Sequence, residues 1–323
     1  MSILSDQEEV IAKPLMNLED IHFECTKCGK CCESNFPLTF DEMFKYKDTF
    51  IQELRISLHL FPAYLSNTEY ADIKNLYQKI YLHYMTAKSK YTPFFLNPQV
   101  IQSSYEAMCP KLKNNLCSIQ DSKPLNCKSL PLEATLPESM QSKQFVHWIV
   151  AGGLKRYECN LTNINVLSEE KKANKVQAPA FIVWNKETQQ YDFPQTDYYS
   201  AYQQEVTDLK NSISLKQEVI QHHMLYAKTD IDSLYESLMI AQSRQGSANL
   251  VTHTGSVISA MLKLDKISKE YAKEYFSSQL ILLKQEISKA KQRQNKSERD
   301  KTKHYLMIVE IYSLYLKHLS ESQ

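Results

Sequence analysis

Hydrophobic residues come in short, differently spaced runs through the first half of the chain and settle into long helical stripes in the second. Ile21 and Phe23 alternate with polar neighbours and predict a short strand. Thr39 and Glu42 have the spacing of a capping box, so a helix is expected to start there. Met43, Phe44, Phe50, Ile51, Leu54 and Leu58 would form its apolar face. It should stop near Phe61-Pro62, because the residue before a proline is pushed out of helical geometry. A second helix is expected from Ser66, capped by Glu69 and burying Ile73, Leu76, Tyr77, Ile80, Tyr81 and Tyr84 as ordinary core. Residues 92–98 are broken up by proline and read as a connection. Residues 145–150 and 179–184 are β-favouring apolar runs, expected as strands, and His147 within the first reads as core rather than as a ligand. Gly152-Gly153 marks a turn between them.

From Tyr198 the text changes: it is helical, without cysteine or proline. Tyr198, Tyr202, Val206, Leu209, Ile213, Ile220 and Met224 trace one face. Thr229 and Asp232 open a further helix that Gly246 closes, and another begins near Gly255. Tyr271, Tyr275, Leu280, Leu283 and Ile287 mark the next, and a last one from Ser297 is expected to bury Tyr305, Ile308, Val309, Tyr312, Tyr315, Leu316 and Leu319. The expected fold is mainly α with a few short strands. A polar lead-in at 1–20 precedes a cysteine-cluster metal-binding domain at 21–195, and a helical bundle or hairpin array follows at 196–323.

Composition narrows the chemistry. The 323 residues can bury a core without disulfides. The first 20 residues carry no signal-like apolar run, and nothing approaches the roughly 18 apolar residues of a membrane span, so a cytoplasmic protein with no membrane partner is expected. A net charge of +1 gives no global field for nucleic acid. The basic stretch 284–303 is interrupted by Glu286, Glu298 and Asp300 and reads as a solvated face, and His222-His223 as helix surface. Only five glycines occur, and neither a Gly-x-Gly-x-x-Gly fingerprint nor a phosphate loop is among them.

The thiols are distributed unevenly. Cys25, Cys28, Cys31 and Cys32 fall within eight residues; Cys109, Cys117, Cys127 and Cys159 follow, and the second half has none. Clustered thiols in a reducing compartment read as ligands rather than staples. The Cys-x-x-Cys turn, with Gly29 after it, can aim two sulfurs at one point. Asn114-Asn115 suits a tight turn that would bring Cys109 and Cys117 together. Pro124 biases Lys123 to extended geometry ahead of Cys127. Adjacent Cys31 and Cys32 point apart, so two four-ligand sites, or a cluster plus a second metal, suit eight sulfurs better than one site. The spacing of Cys25, Cys28 and Cys31 matches the start of a ferredoxin run and favours iron–sulfur, while tetrahedral thiolates also suit zinc.

Cys-x-x-Cys-Gly-x-Cys-Cys, followed by Cys109-Pro110-x-Leu112, Cys117-x-Ile119 and Lys123-Pro124-Leu125-x-Cys127-Lys128-x-x-Pro131, resembles the YkgJ-type cysteine-cluster family over about residues 21–160. That family is described as zinc- or iron-chelating and includes flagellin lysine N-methylases. The resemblance implies a ligand set of Cys25, Cys28, Cys31, Cys32, Cys109, Cys117, Cys127 and Cys159. Gln120, Lys123 and Lys128 stand where the family has Tyr, Arg and Arg, which spares the ligands and weakens any planar anion contact. The expected function is a metal-centre protein with a structural, redox or iron-handling role, its helical half docking a partner. The alternative is an S-adenosylmethionine-dependent protein lysine N-methyltransferase, for which the sequence displays no pocket and no general base.

Overall fold

The computed structural model describes residues 21–24, 35–60, 67–103, 109–114, 116–130, 132–141, 160–163, 181–184, 197–293 and 296–321. In chain order the elements are β1 Ile21–Glu24, β2 Pro37–Leu38, α1 Phe40–Lys45, β3 Ile51–His59, α2 Asn67–Ile80, β4 Leu82–Tyr84 and β5 Phe94–Ser103. They continue with β6 Leu112–Lys113, β7 Leu116–Cys117, α3 Leu125–Ser129, β8 Asn160–Asn163, β9 Phe181–Trp184, α4 Asp197–Asn211, α5 Ile213–Ala227 and α6 Ile231–Gln245. The last are β10 Asn249–Thr252, α7 Gly255–Lys263, α8 Lys269–Arg293 and α9 Lys296–Glu321. The fold is mainly α with small antiparallel sheets. The polar lead-in, Phe61-Pro62, Ser66, the run at 145–150 and Gly152-Gly153 lie outside the described residues.

The chain divides into two units whose segments alternate along the sequence. The first comprises residues 1–34, 62–76 and 111–206, and the second residues 35–61, 77–110 and 207–323.

In the first unit, β1 is the middle strand of the order β8-β1-β9, as the alternation of Ile21 and Phe23 predicts. The run ending at Trp184 forms β9, also as predicted. β6 and β7 make a hairpin whose turn residue Asn114 takes a φ of 50°, the left-handed conformation that asparagine tolerates.

In the second unit, the expected capping box is present: the Glu42 amide donates to Thr39 Oγ1 at 3.2 Å and the Thr39 amide to Glu42 Oε2 at 3.1 Å. The helix it starts is short. Lys45 ends α1, and the residues expected to extend the helix to Leu58 are instead strand β3. The spacing of Phe50, Ile51, Leu54 and Leu58 imitates a helical period, yet from Glu53 to His59 polar and apolar residues alternate strictly, which is a strand's period. β3 lies between β10 and β5 in the order β10-β3-β5-β2, with β4 also on β5. β5 likewise replaces the expected connection. Pro98 falls where the outer edge of β5 passes from β4, paired at residues 94–96, to β2, paired at 100–101, a place that tolerates a residue without an N–H. All ten residues of β5 are buried.

From Asp197 onward the helices fall close to where the sequence signals them, with one break and with the cap of the helix after Lys228 at Asp230 in place of the expected Thr229. Ser212 divides the single face expected from Tyr198 to Met224 into α4 and α5. Asp230 caps α6 by accepting from the Ser233 amide at 2.8 Å, and Gly246 closes it with φ 72°. Tyr275, Phe276, Tyr305 and Tyr312 are fully buried. The three tyrosine hydroxyls are matched: Thr254 Oγ1 lies 2.9 Å from Tyr275 Oη and 2.7 Å from Tyr312 Oη, Tyr275 donates to Gln52 Oε1 at 3.2 Å, and Tyr305 meets Ser103 at 3.1 Å. His304 bonds the buried carboxylate of Glu53.

Gly255 begins α7 with its amide donating to His253 Nδ1 at 3.0 Å. A Cβ there would stand 2.6 Å from Tyr315 Cε2 and 2.7 Å from His253 Nδ1, inside van der Waals contact with two rings. Gly255→Ala should therefore destabilise the protein by about 3 kcal/mol through overpacking. Thermal unfolding checks this; an unchanged Tm would mean that both rings move aside without cost.

Candidate metal centre

Of the eight predicted ligands, Cys109, Cys117 and Cys127 are described, and Cys25, Cys28, Cys31, Cys32 and Cys159 lie outside the described residues, as does His147. Cys109 is a buried residue of the second unit; Cys117 and Cys127 are half-buried residues of the first. Among the described residues no group of three or more His, Cys, Asp or Glu side chains converges as a metal site.

The local scaffolds of the first unit are well defined. Cys117 ends the β6–β7 hairpin directly opposite Leu112, and the Ser118 amide donates to the Lys111 carbonyl at 2.8 Å, closing the register one step further out. Lys123 has ψ 153°, the extended geometry that Pro124 imposes, and the chain then enters the single helical turn α3 that carries Cys127. A buried carboxylate braces that turn. Glu205 of α4 accepts from Asn126 Nδ2 at 3.2 Å and from Ser129 Oγ at 3.0 Å, the residues on either side of Cys127. Ser129 Oγ also lies 3.2 Å from the Asn126 carbonyl, so the hydroxyl ties the turn to itself as well as to α4. The sequence reading missed Glu205, since a glutamate on an amphipathic helix gives no signal that it is buried.

The ends of the chain's cysteine region are set by β1 and β8. Their antiparallel register runs from Ile21 opposite Asn163 to Glu24 opposite Asn160. The next covalent neighbour of Glu24 is Cys25, and the residue before Asn160 is Cys159. Clustered thiols are the donor chemistry of a thiophilic metal or an iron–sulfur cluster.

Two other expectations resolve differently. His222 is half-buried and His223 is buried, so the pair is not simply helix surface; burial pushes both imidazoles below their ordinary pKa. On α5 adjacent positions diverge, which lets one of the two enter the core. In the basic stretch Lys284, Lys289, Lys291 and Lys303 are exposed, with Lys289 paired to Glu286 at 2.6 Å, as a solvated face requires. No helix among the described residues is long and apolar enough to cross a membrane. Comparisons with models of protein families, with curated proteins and with solved structures give no match for this chain.

Proposed function

We propose that the chain is a cysteine-cluster metalloprotein of the YkgJ type, holding iron–sulfur, with zinc as the alternative, through Cys25, Cys28, Cys31, Cys32, Cys109, Cys117, Cys127 and Cys159. The observation that carries this reading is the register of β1 with β8, whose adjoining ends continue into Cys25 and Cys159 from opposite ends of the cysteine-bearing sequence. The left-handed turn at Asn114 and the braced turn at Cys127 support it, because fixed ligands lose less entropy on binding. When bound, the metal adds its binding free energy to folding, since a preformed thiolate site does not exist in the unfolded chain.

Metal analysis of anaerobically purified protein tests the reading. Iron with acid-labile sulfide and a brown colour is expected, or colourless protein with zinc for the alternative. Cys28→Ala should lose at least half the bound metal and unfold at the temperature of chelator-treated wild type. Wild type with less than one metal ion per chain after anaerobic reconstitution, or a Cys28→Ala variant with full metal content, would falsify the assignment.

A further inference from the structure

The polar face of β3 is covered rather than solvated, and its groups are incompletely matched. The register with β5 places Arg55 opposite Gln99, Ser57 opposite Asn97, and His59 opposite Phe95, three rows on one face of the sheet. Asn97 therefore lies across from Ser57 and diagonal to both Arg55 and His59, about 7–8 Å away along the face and within reach of long side chains. Lys216 of α5 enters the same neighbourhood. It is 1% exposed, and its ammonium donates to the Ile80 carbonyl at 2.6 Å. Tyr81 links the groups: its ring stacks on His59 at 4.5 Å between centroids and lies 5.7 Å from Lys216 Nζ.

Several polar atoms here remain open. Arg55 donates through Nη2 to Gln99 Oε1 at 3.0 Å, but its Nε has no partner. His59 Nε2 has none, and neither Nδ2 nor Oδ1 of Asn97, itself 1% exposed, is bonded. An orphaned buried polar atom is destabilising, and folded proteins rarely leave several together without a bound molecule among them. The charge is also one-sided. Arg55, His59 and Lys216 are all basic, and Glu53, two residues before Arg55 on the same face of β3, is bonded to His304. Burial pushes Lys216 down to about 7, and burial with the nearby Arg55 and Lys216 charges pushes His59 down to about 4. A further proton is unwelcome, as in a site built for negative charge.

The pattern of donors and acceptors specifies more than charge. Whichever way its amide is turned, Asn97 presents one donor and one acceptor. Sulfate or a carboxylate offers acceptors only and leaves that acceptor open. An oxyanion that keeps an O–H can take hydrogen bonds from Arg55 Nε and Asn97 Nδ2 and return one to Asn97 Oδ1. We propose that the patch bounded by Arg55, His59, Asn97 and Lys216 is a binding site for a small protonated oxyanion of the hydrogen phosphate class. It is independent of the thiol assignment, since all four residues belong to the second unit.

Thermal unfolding of the full chain at neutral pH, in inorganic phosphate or in sulfate at matched ionic strength, tests this. Both salts strengthen folding generally through exclusion from the surface, so sulfate sets the baseline. Phosphate should raise the wild-type Tm saturably, by at least about 3 °C beyond sulfate. Lys216→Met, which replaces a buried ammonium by an apolar chain of similar length, should fold and lose that excess. Asn97→Asp, which supplies a carboxylate to the same patch, should also lose it and gain stability in phosphate-free buffer. Equal effects of the two salts on wild type, or a phosphate-specific rise retained by either variant, would overturn the assignment.

Discussion

Gln279→Ala is expected to lower stability by about 4 kcal/mol and Tm by roughly 10 °C, because it removes three hydrogen bonds to buried backbone at once. Gln279 is fully buried on α8. Its Oε1 accepts from the Gln52 amide at 2.9 Å, and its Nε2 donates to the carbonyls of Lys47 at 2.7 Å and Phe50 at 2.9 Å. One side chain therefore adds three hydrogen bonds to the turn between α1 and β3, beside the turn's own bonds from the Thr49 and Phe50 amides to the Tyr46 carbonyl. Alanine leaves those groups in an apolar interior with no replacement. Gln279→Glu keeps the shape and the acceptor but loses both donors and buries a charge, so it should cost more at pH 7 and recover in part at lower pH. Urea denaturation measures both; a loss below about 1 kcal/mol for the alanine variant would show that the turn holds itself.

Acid should destabilise the protein well before its carboxylates titrate. Burial, then the charges of Arg55 and Lys216, pushes His59 down to about 4, and burial, then His223 and His304, pushes His253 down to about 4. In the unfolded chain each imidazole takes up a proton near its ordinary value of about 6.5. Between pH 6.5 and 4 the unfolded state thus binds more protons than the folded one, and stability falls as pH falls through that window. Each histidine contributes roughly 2–3 kcal/mol to the loss, and below pH 4 their contribution levels off. Unfolding free energies at pH 7, 5.5 and 4.5 check the slope, and His59→Phe should remove about half of it. A flat profile over that range would show that both rings accept protons without leaving the core.

The parts of the fold written in local chemistry could be read directly from the sequence. Thr39 with Glu42, Gly246 and Asn114 act on backbone groups within a few residues, so their effect does not depend on what packs above them. The same holds for the extended approach Lys123-Pro124. β3 and β5 were hidden for a different reason. Leu54 and Leu58 fit a helical spacing as well as a strand's, and the choice is made by β10, which arrives from residues 249–252. Sheet partners that distant leave no trace in a local window. In the candidate centre, the ligand types and the hairpin at Asn114 were legible; the pairing that joins the two ends of the cysteine region was not, because Phe23 and Leu161 carry no mark of each other. Glu205 and the covered face of Arg55 and His59 were invisible because sequence shows polarity but not burial.

The pairing of β1 with β8 also sets a timetable. The ribosome, adding roughly 5–20 residues each second, exposes the Cys-x-x-Cys-x-x-Cys-Cys tract long before residue 163 has been made. Until then β1 has no β8 to join. On the proposed ligand set, loading of all eight thiols would have to wait until Cys159 has been made.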